Sequence, residues 1–247
     1  ATGLVSAHTH TEQEEVARRI SRYDLLALPI VDDDGRLVGI VTYDDAMDVA
    51  EAEATEDMHK GATVGRLETG LKTASPFSLY RSRVQWLVIL VFANIFTGAS
   101  IDHFQQTIST HIALLFFMPL LIASGGNAGA QSATLMVRGL ATGDVTAKDW
   151  GMLLGKDILV ATGLGLTMAA AVSVVGIYKA GPDITTVVAI SMLVVVLMGS
   201  IIGMLLPFVL DKLKFDPATA SMPLITTIAD VSGVLIYFTI ASMVLSL

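Results

Sequence analysis

The chain has 247 residues, of which 53% are hydrophobic, and it contains no cysteine. Its mean hydropathy of +0.67 is too high for a soluble domain of this size and is typical of a polytopic membrane protein. The lack of cysteine excludes a disulfide framework and thiol chemistry. The net charge of −8 lies within the first 80 residues, which hold 15 acids and 7 bases, so this portion favours cations over nucleic acid as ligands.

The beginning of the chain predicts a piece of a longer protein. The first ten residues contain no initiator Met and lack the basic and apolar segments of a signal peptide. Residues 11–60 then have the pattern of a small α/β unit. Thr11 and Glu14 have the spacing of a helix N-cap and its third residue, and the helix is predicted to run to about Arg22.

A β-hairpin and an acidic helix are predicted next. The short apolar run 27–31 reads as a strand, the turn sequence Asp-Asp-Asp-Gly at 32–35 follows it, and 36–42 pairs back as a second strand. A long helix over about 43–59 comes after the hairpin. Residues 61–78 then form a polar linker without a sustained period.

The remainder of the chain is predicted to be mainly α-helical, with apolar runs of membrane length. Lys and Arg are concentrated before the first run and in the second and fourth connections, while the first connection has none. This alternation predicts a multi-pass protein of the cell membrane, with a cytoplasmic N-terminal domain and the C-terminus outside. We expect five spans, at about 83–102, 111–138, 151–178, 184–210 and 217–246.

Asp230 is the single charge between Ala218 and Leu247. It lies about thirteen residues into this apolar stretch, or about 20 Å at helical rise. A carboxylate at membrane depth costs about 3 kcal/mol or more, and such residues usually face a protein interior or an ion route. Thr226, Thr227 and Ser232 supply further oxygens nearby. A buried carboxylate capped by a neighbouring hydroxyl is the alternative interpretation.

The second span contains a run of small and polar residues at 124–132. Asn127 and Gln131 are four residues apart and therefore share one helix face. With Asp230 they suggest a polar pathway wall for a hydrated hard cation, and the glycines would expose backbone carbonyls. Tight helix packing through small residues is the alternative for the glycines, and a helix contact is expected for Gly199 and Gly203. Pro207 and Pro223 either kink their helices or free carbonyl oxygens for the route.

Two sets of motifs carry a family resemblance. The segment LPIVDDDGRLVGIVTYDD resembles the second half of a CBS domain. The segments EAEATEDMHKGATV, RVQWLVIL, GGNAGAQSATLMVRGLATGDV and DPATASMPLITTIADVSGVLIYF resemble the MgtE family of magnesium channels. The resemblance implies a partial CBS domain over 1–43, a gating helix and linker over 44–80, and a five-helix pore domain over 81–247.

The resemblance also implies a function, which is Mg²⁺ transport by a homodimer with one pore on its two-fold axis, in a lipid membrane. Asp230 matches the pore aspartate and Thr226 a pore-lining position near the ion. The other expected pore-lining residues are Gly126, Asn127, Gln131 and Thr227. Mg²⁺ is the only cofactor implied, no catalytic residue is expected, and nucleotide binding by the CBS portion stays open.

The long acidic helix is a candidate Mg²⁺ sensor. Seven acids and no base lie between Asp44 and Asp57, and like charges three or four residues apart destabilise a helix. Bridging by a divalent ion would relieve that repulsion, although a solvated helix face is the ordinary alternative. By resemblance, the sensing positions that close the gate at high internal Mg²⁺ are Glu14, Asp24, Asp45, Asp48, Glu53, Glu56, Asp57 and, before the fifth span, Asp216.

Three other functional classes remain as alternatives. The first is an H⁺- or Na⁺-coupled secondary transporter of Co²⁺, Mn²⁺ or Ni²⁺ with Asp230 as the carrier carboxylate. The second is an intramembrane hydrolase, which needs a second aspartate, and Asp157 lies near a cytosolic end instead. The third, a scaffold with a regulatory head, leaves the cost of Asp230 unexplained. The five histidines show no metal-ligand spacing.

Overall fold

The computed structural model describes residues 5–65 and 71–245, which fall into two compact units. One unit ends at His59 and the other begins at Lys60. The expected fold class, a mainly helical membrane protein preceded by a small α/β unit, is confirmed.

The first unit is a three-stranded sheet with two helices. Its elements are β1 (Ala7–His8), α1 (Gln13–Arg22), β2 (Ala27–Val31), β3 (Leu37–Thr42) and most of α2 (Tyr43–Gly61). β1 pairs parallel to β2, and β2 pairs antiparallel to β3. In the turn, Asp32 Oδ1 accepts hydrogen bonds from the backbone of Asp34 and Arg36. Ile20, Leu28 and Ala46 form the centre of the core.

The start of α1 differs from the prediction. The Thr11 hydroxyl accepts a hydrogen bond from His8 N (3.0 Å), so it holds the end of β1 instead of capping the helix. Glu12 is the N-cap residue and makes no side-chain capping bond. The predicted cap was therefore wrong, because Thr11 is used by a strand that is too short to be recognised from the sequence.

The second unit contains the apolar helices. They are α3 (Pro76–Ala93), α4 (Ile95–His103), α5 (Gln105–Thr110), α6 (Leu114–Thr142), α7 (Trp150–Lys212) and α8 (Met222–Val244). Within the described part of the chain, four helical stretches are long and apolar enough to cross a membrane, namely α3 together with α4, α6, α7 and α8.

The 63-residue helix α7 consists of two arms. Gly181 has φ 81° and ψ 176°, a conformation that essentially only glycine adopts. A Cβ on Gly176 would lie 2.8 Å from Thr185 Oγ1, and one on Gly165 would lie 2.8 Å from Leu193 Cδ1. The arms 150–180 and 182–212 therefore run antiparallel. Each arm is long enough to cross a bilayer, so the described chain has five helical stretches of membrane-spanning length, the number of spans expected.

Glycines let α6 approach the second arm of α7 closely. A Cβ on Gly199 or Gly203 would overlap the carbonyl oxygen of Gly125 or Gly129, respectively. These two contacts have the same sequence offset, so α6 runs parallel to that arm. The helix contact expected for Gly199 and Gly203 is present. α6 stays helical throughout the glycine run, so packing, and not exposed carbonyls, accounts for Gly125 and Gly129.

Helix α8 begins later than predicted. Asp216 Oδ1 accepts from Ala218 N (2.8 Å) and caps a short 3-10 turn, Pro217–Thr219. Ser221 then caps α8, which begins at Met222. Asp230 is therefore the ninth residue of the helix, about 12 Å from its start at helical rise instead of the expected 20 Å.

Candidate functional site

The carboxylate of Asp230 has no partner within the described chain. Its side chain is partly buried on α8, and among the described residues it makes no hydrogen bond or ion pair. Burial of an unpaired carboxylate is costly unless a cation or water compensates it. The side chain is therefore available to a ligand, as a capped structural aspartate would not be.

The hydroxyl groups around Asp230 all donate to backbone carbonyls of α8. Thr226 Oγ1 and Thr227 Oγ1 both donate to Pro223 O, at 3.0 and 2.8 Å, and Ser232 Oγ donates to Ile228 O at 2.9 Å. Pro223 lies in the first turn of α8, where the missing N–H costs nothing. Its carbonyl accepts from the two threonines, and the carbonyl four residues earlier, Thr219 O, accepts from Ser221 N (2.7 Å), so neither of these oxygens lacks a donor.

Two expected wall residues lie on the exposed face of α6. Asn127 and Gln131 are exposed and one helix turn apart. A Cβ on Gly126 would lie 3.2 Å from Thr226 Cγ2, and one on Gly233 would lie 4.0 Å from Ile122 Cα. α6 and α8 are therefore antiparallel, and Asp230 lies at a level between these two contacts.

The amide of Asn127 is thus within about one helical turn of the level of Asp230. The structure brings these two polar groups to similar depth, with Gln131 one turn nearer the start of α8. The other two expected lining residues lie in helix contacts: Gly126 packs against Thr226, and Thr227 is buried.

A polar cluster that sequence reasoning missed joins three helical segments. Asp157, on the first arm of α7, accepts from Ser132 Oγ of α6 (2.8 Å) and from Ser200 Oγ of the second arm (2.9 Å). Both serines are buried. Nothing in the local sequence signals this cluster, because its members are 25 and 43 residues from Asp157.

Asp216, the expected membrane-side sensor residue, is paired with a lysine. Lys60 Nζ lies 2.5 Å from Asp216 Oδ2, and both side chains are about one third exposed. Asp216 Oδ1 is occupied by Ala218 N. This ion pair was not expected from the sequence.

The expected sensor acids of the first unit are spread over α1, α2 and the turn between α1 and β2. Gln13 Nε2 donates to Glu53 Oε1 (2.9 Å), which brings the start of α1, with Glu14, beside α2. Asp24 lies beyond the other end of α1, and Asp45 accepts from Thr42 Oγ1 (2.8 Å). Asp48, Glu56 and Asp57 lie along α2. Across the described ranges, no three Asp, Glu or His side chains form a ready metal site.

Five helical stretches of membrane-spanning length, one of them with an unpaired carboxylate at about the depth of the Asn127 amide, define a multi-pass membrane protein. Residues 118–240 match the family model MgtE, a divalent cation transporter, and residues 1–52 match the CBS domain model. In its membrane part the chain belongs to the MgtE family, which confirms the resemblance of its motifs.

Similar proteins extend over nearly the whole chain. Those named magnesium transporter MgtE from Thermus thermophilus, Bacillus subtilis and Enterococcus faecalis are 42%, 38% and 37% identical to it. The alignments cover 97–98% of this chain and 52–54% of those proteins. The chain thus spans about half the length of the curated relatives it matches.

Proposed function

We propose that this chain conducts Mg²⁺ across the cell membrane through a pore in which Asp230 supplies the negative charge. The unpartnered carboxylate of Asp230 within α8 is the observation that carries the proposal. The family match and the names of the relatives support a divalent cation as cargo. Mg²⁺ is the transported ion here, and the proposed assembly is a homodimer in which each subunit contributes one Asp230.

The groups around Asp230 suit an ion that keeps its water. Mg²⁺ dehydrates reluctantly and is usually held through one or two carboxylates plus several waters. Amide groups on Asn127 and Gln131 can bond such waters, and Thr226 Oγ1 can accept from them because its proton is given to Pro223 O. Two carboxylates facing one hydrated ion would match its charge of +2.

The proposed regulation is inhibition by intracellular Mg²⁺. The acids of α1 and α2 repel one another when no ion is present, and bound Mg²⁺ would bridge them with Asp216 and close the pore. A ligand shifts a conformational equilibrium only by its differential affinity for the two states. In this proposal the sites shared between the regulatory segment (1–43 with 44–80) and the pore domain (81–247) provide that difference.

Mg²⁺ uptake into sealed vesicles tests the pore. Asp230→Ala is expected to reduce uptake at least tenfold, because a hydrated divalent ion then crosses the membrane with no opposing charge. Asp183→Asn, which removes an exposed acid beside the reversal of α7, is the matched control and should keep wild-type uptake. Uptake by Asp230→Ala at the wild-type rate would refute the pore, and uptake that needs a proton or sodium gradient would favour a coupled transporter.

Regulation is tested separately. Neutralising Asp48, Glu53 and Asp57 together should leave transport active at high internal Mg²⁺, whereas the unmodified chain should be inhibited. If the triple variant is still inhibited at the same internal concentration, the sensor proposal fails while the pore proposal stands.

A further inference from the structure

The carboxylate of Asp157 is the one point at which α6 and both arms of α7 meet through side-chain hydrogen bonds in the described part of the chain. Each of its oxygens accepts a bond from a buried serine, Ser132 or Ser200. Hydrogen bonds to a charged group are more stabilising than those between neutral groups. The two hydrogen bonds to Asp157 therefore favour one particular arrangement of α6 and the two arms of α7.

The two serines lie beside the glycine contact between α6 and the second arm of α7. Gly125, Gly129 and Ser132 lie on one stripe of α6, four and three residues apart, and Ser200 directly follows Gly199. Glycine surfaces allow close approach, but they lack side chains that interlock and resist sliding or rotation. Directional bonds from Ser132 and Ser200 to Asp157 supply that resistance beside the stripe.

Rotation of α6 matters because Gln131 precedes Ser132. Neighbouring residues on a helix point about 100° apart, and a side-chain end lies about 6 Å from the axis. A rotation of only 20° would therefore move the amide of Gln131 by about 2 Å. That displacement is enough to break a hydrogen bond to a water bound to the ion.

Asp157 lies at the edge of an apolar segment, where a carboxylate costs less than at the membrane centre. The 21 residues from Ile158 to Tyr178 carry no charge and span about 31 Å, the thickness of the hydrocarbon core. Asp157 precedes this segment, next to the exposed Lys156, and thus lies at its edge. The site is neither deep enough to form part of the ion's central position nor free in water.

We propose that Asp157 is a positioning residue for the cation pathway: through Ser132 and Ser200 it holds α6 in the rotation that presents Gln131 and Asn127 to the hydrated ion. This inference rests on the proposed function, because it concerns how the same wall binds its ion. It adds a role for a residue that does not touch the ion.

The test separates positioning from folding by measuring Mg²⁺ uptake as a function of concentration. Asp157→Ala should raise the Mg²⁺ concentration for half-maximal uptake by about three- to tenfold, because a misplaced wall binds the ion more weakly. A merely structural role would lower the maximal uptake, through fewer folded molecules, and leave the half-maximal concentration unchanged. Ser132→Ala and Ser200→Ala should each shift it in the same direction by a smaller factor.

Asp157→Ala is expected to fold, because both serines can donate to the carbonyl four residues earlier in their helices, as Ser173 donates to Ala169 O. Ser173→Ala, on the same arm as Asp157, is the matched control and should leave uptake unchanged. Should Asp157→Ala not fold, the two serine variants give the result by themselves.

A double-variant cycle identifies the route of the effect. If Asp157 acts through Gln131, the variant Asp157→Ala with Gln131→Ala should have the same half-maximal concentration as Gln131→Ala alone. An unchanged half-maximal concentration in Asp157→Ala and in both serine variants would overturn the proposal, and so would shifts that multiply in the double variant. Failure of the pore itself would appear differently, as wild-type uptake by Asp230→Ala.

Discussion

Lys60 Nζ lies 2.5 Å from Asp216 Oδ2, so a cation carried by the chain occupies the carboxylate expected to bind regulatory Mg²⁺. The pair joins the last turn of α2 to the segment that leads into α8. A partly exposed ion pair contributes about 0.2–1 kcal/mol, which is small enough for a divalent ion to displace it.

The first prediction concerns this competition. Lys60→Gln should lower the internal Mg²⁺ concentration that half-inhibits transport by about two- to fivefold, since up to about 1 kcal/mol of competition is removed. Transport in vesicles loaded with graded Mg²⁺ is the measurement. Lys148→Gln, a lysine in the connection between α6 and α7, is the control. An unchanged or higher inhibitory concentration for Lys60→Gln would contradict competition at Asp216.

The second prediction concerns the glycine contact. Gly203→Ala places a Cβ on the carbonyl oxygen of Gly129, and such overpacking typically costs about 1–3 kcal/mol. Thermal unfolding in detergent should show a lower Tm. Gly163→Ala is the matched control in the same helix, because no atom lies within 4 Å of its Cβ position, and its Tm should stay the same or rise. Equal Tm values for the two variants would mean that the contact is not close.

The third prediction concerns Tyr237, whose hydroxyl donates to Leu114 O (3.0 Å) in the buried contact between α8 and the start of α6. Tyr237→Phe removes one buried hydrogen bond and should destabilise the protein by about 1 kcal/mol. The Tm should fall by about 2–4 °C for a chain of this size. Tyr178→Phe, at an exposed tyrosine, should not change it. A larger effect at Tyr178 would contradict the packing.

The fourth prediction concerns pH. Hydrogen bonds from the hydroxyl and backbone N–H of Thr146 lower the pKa of Asp149 at the start of α7. Because the folded pKa lies below the ordinary one, this stabilisation is present above the ordinary value and is lost as pH falls through the folded pKa. The Tm advantage of the wild type over Asp149→Asn should therefore disappear in acid. An advantage that persists after protonation would refute the assignment.

Local patterns predicted local structure well. The strand Ala27–Val31 has the expected bounds because the turn that ends it is set by adjacent residues, Asp32 and Gly35. The start of α8 was placed five residues too early because apolar composition does not reveal that Ser221 caps the helix. The Thr11 cap failed for a related reason, since a hydroxyl can serve either a helix or a neighbouring strand.

The candidate site was only partly visible in the sequence. Asp230 stands out because a charge within an apolar span is rare. Asn127 and Gln131 could be recognised because residues four apart share one face of a single helix. By contrast, the partners of Asp157 and the pairing of Lys60 with Asp216 depend on contacts between distant segments. The residue pattern within one helix or strand cannot predict contacts between distant segments.

The hydrogen bonds that Thr226, Thr227 and Ser232 donate within α8 affect whether this helix favours a cation or an anion. Each hydroxyl donates its one hydrogen in a hydrogen bond to a carbonyl of its own helix. Towards an approaching ion or water it therefore presents only acceptor lone pairs. These three hydroxyls therefore offer a chloride or phosphate ion no hydrogen to bind. If α8 lines the proposed pore, its backbone bonding disfavours anions beside Asp230, and that preference would persist, in weaker form, even if the aspartate were neutral.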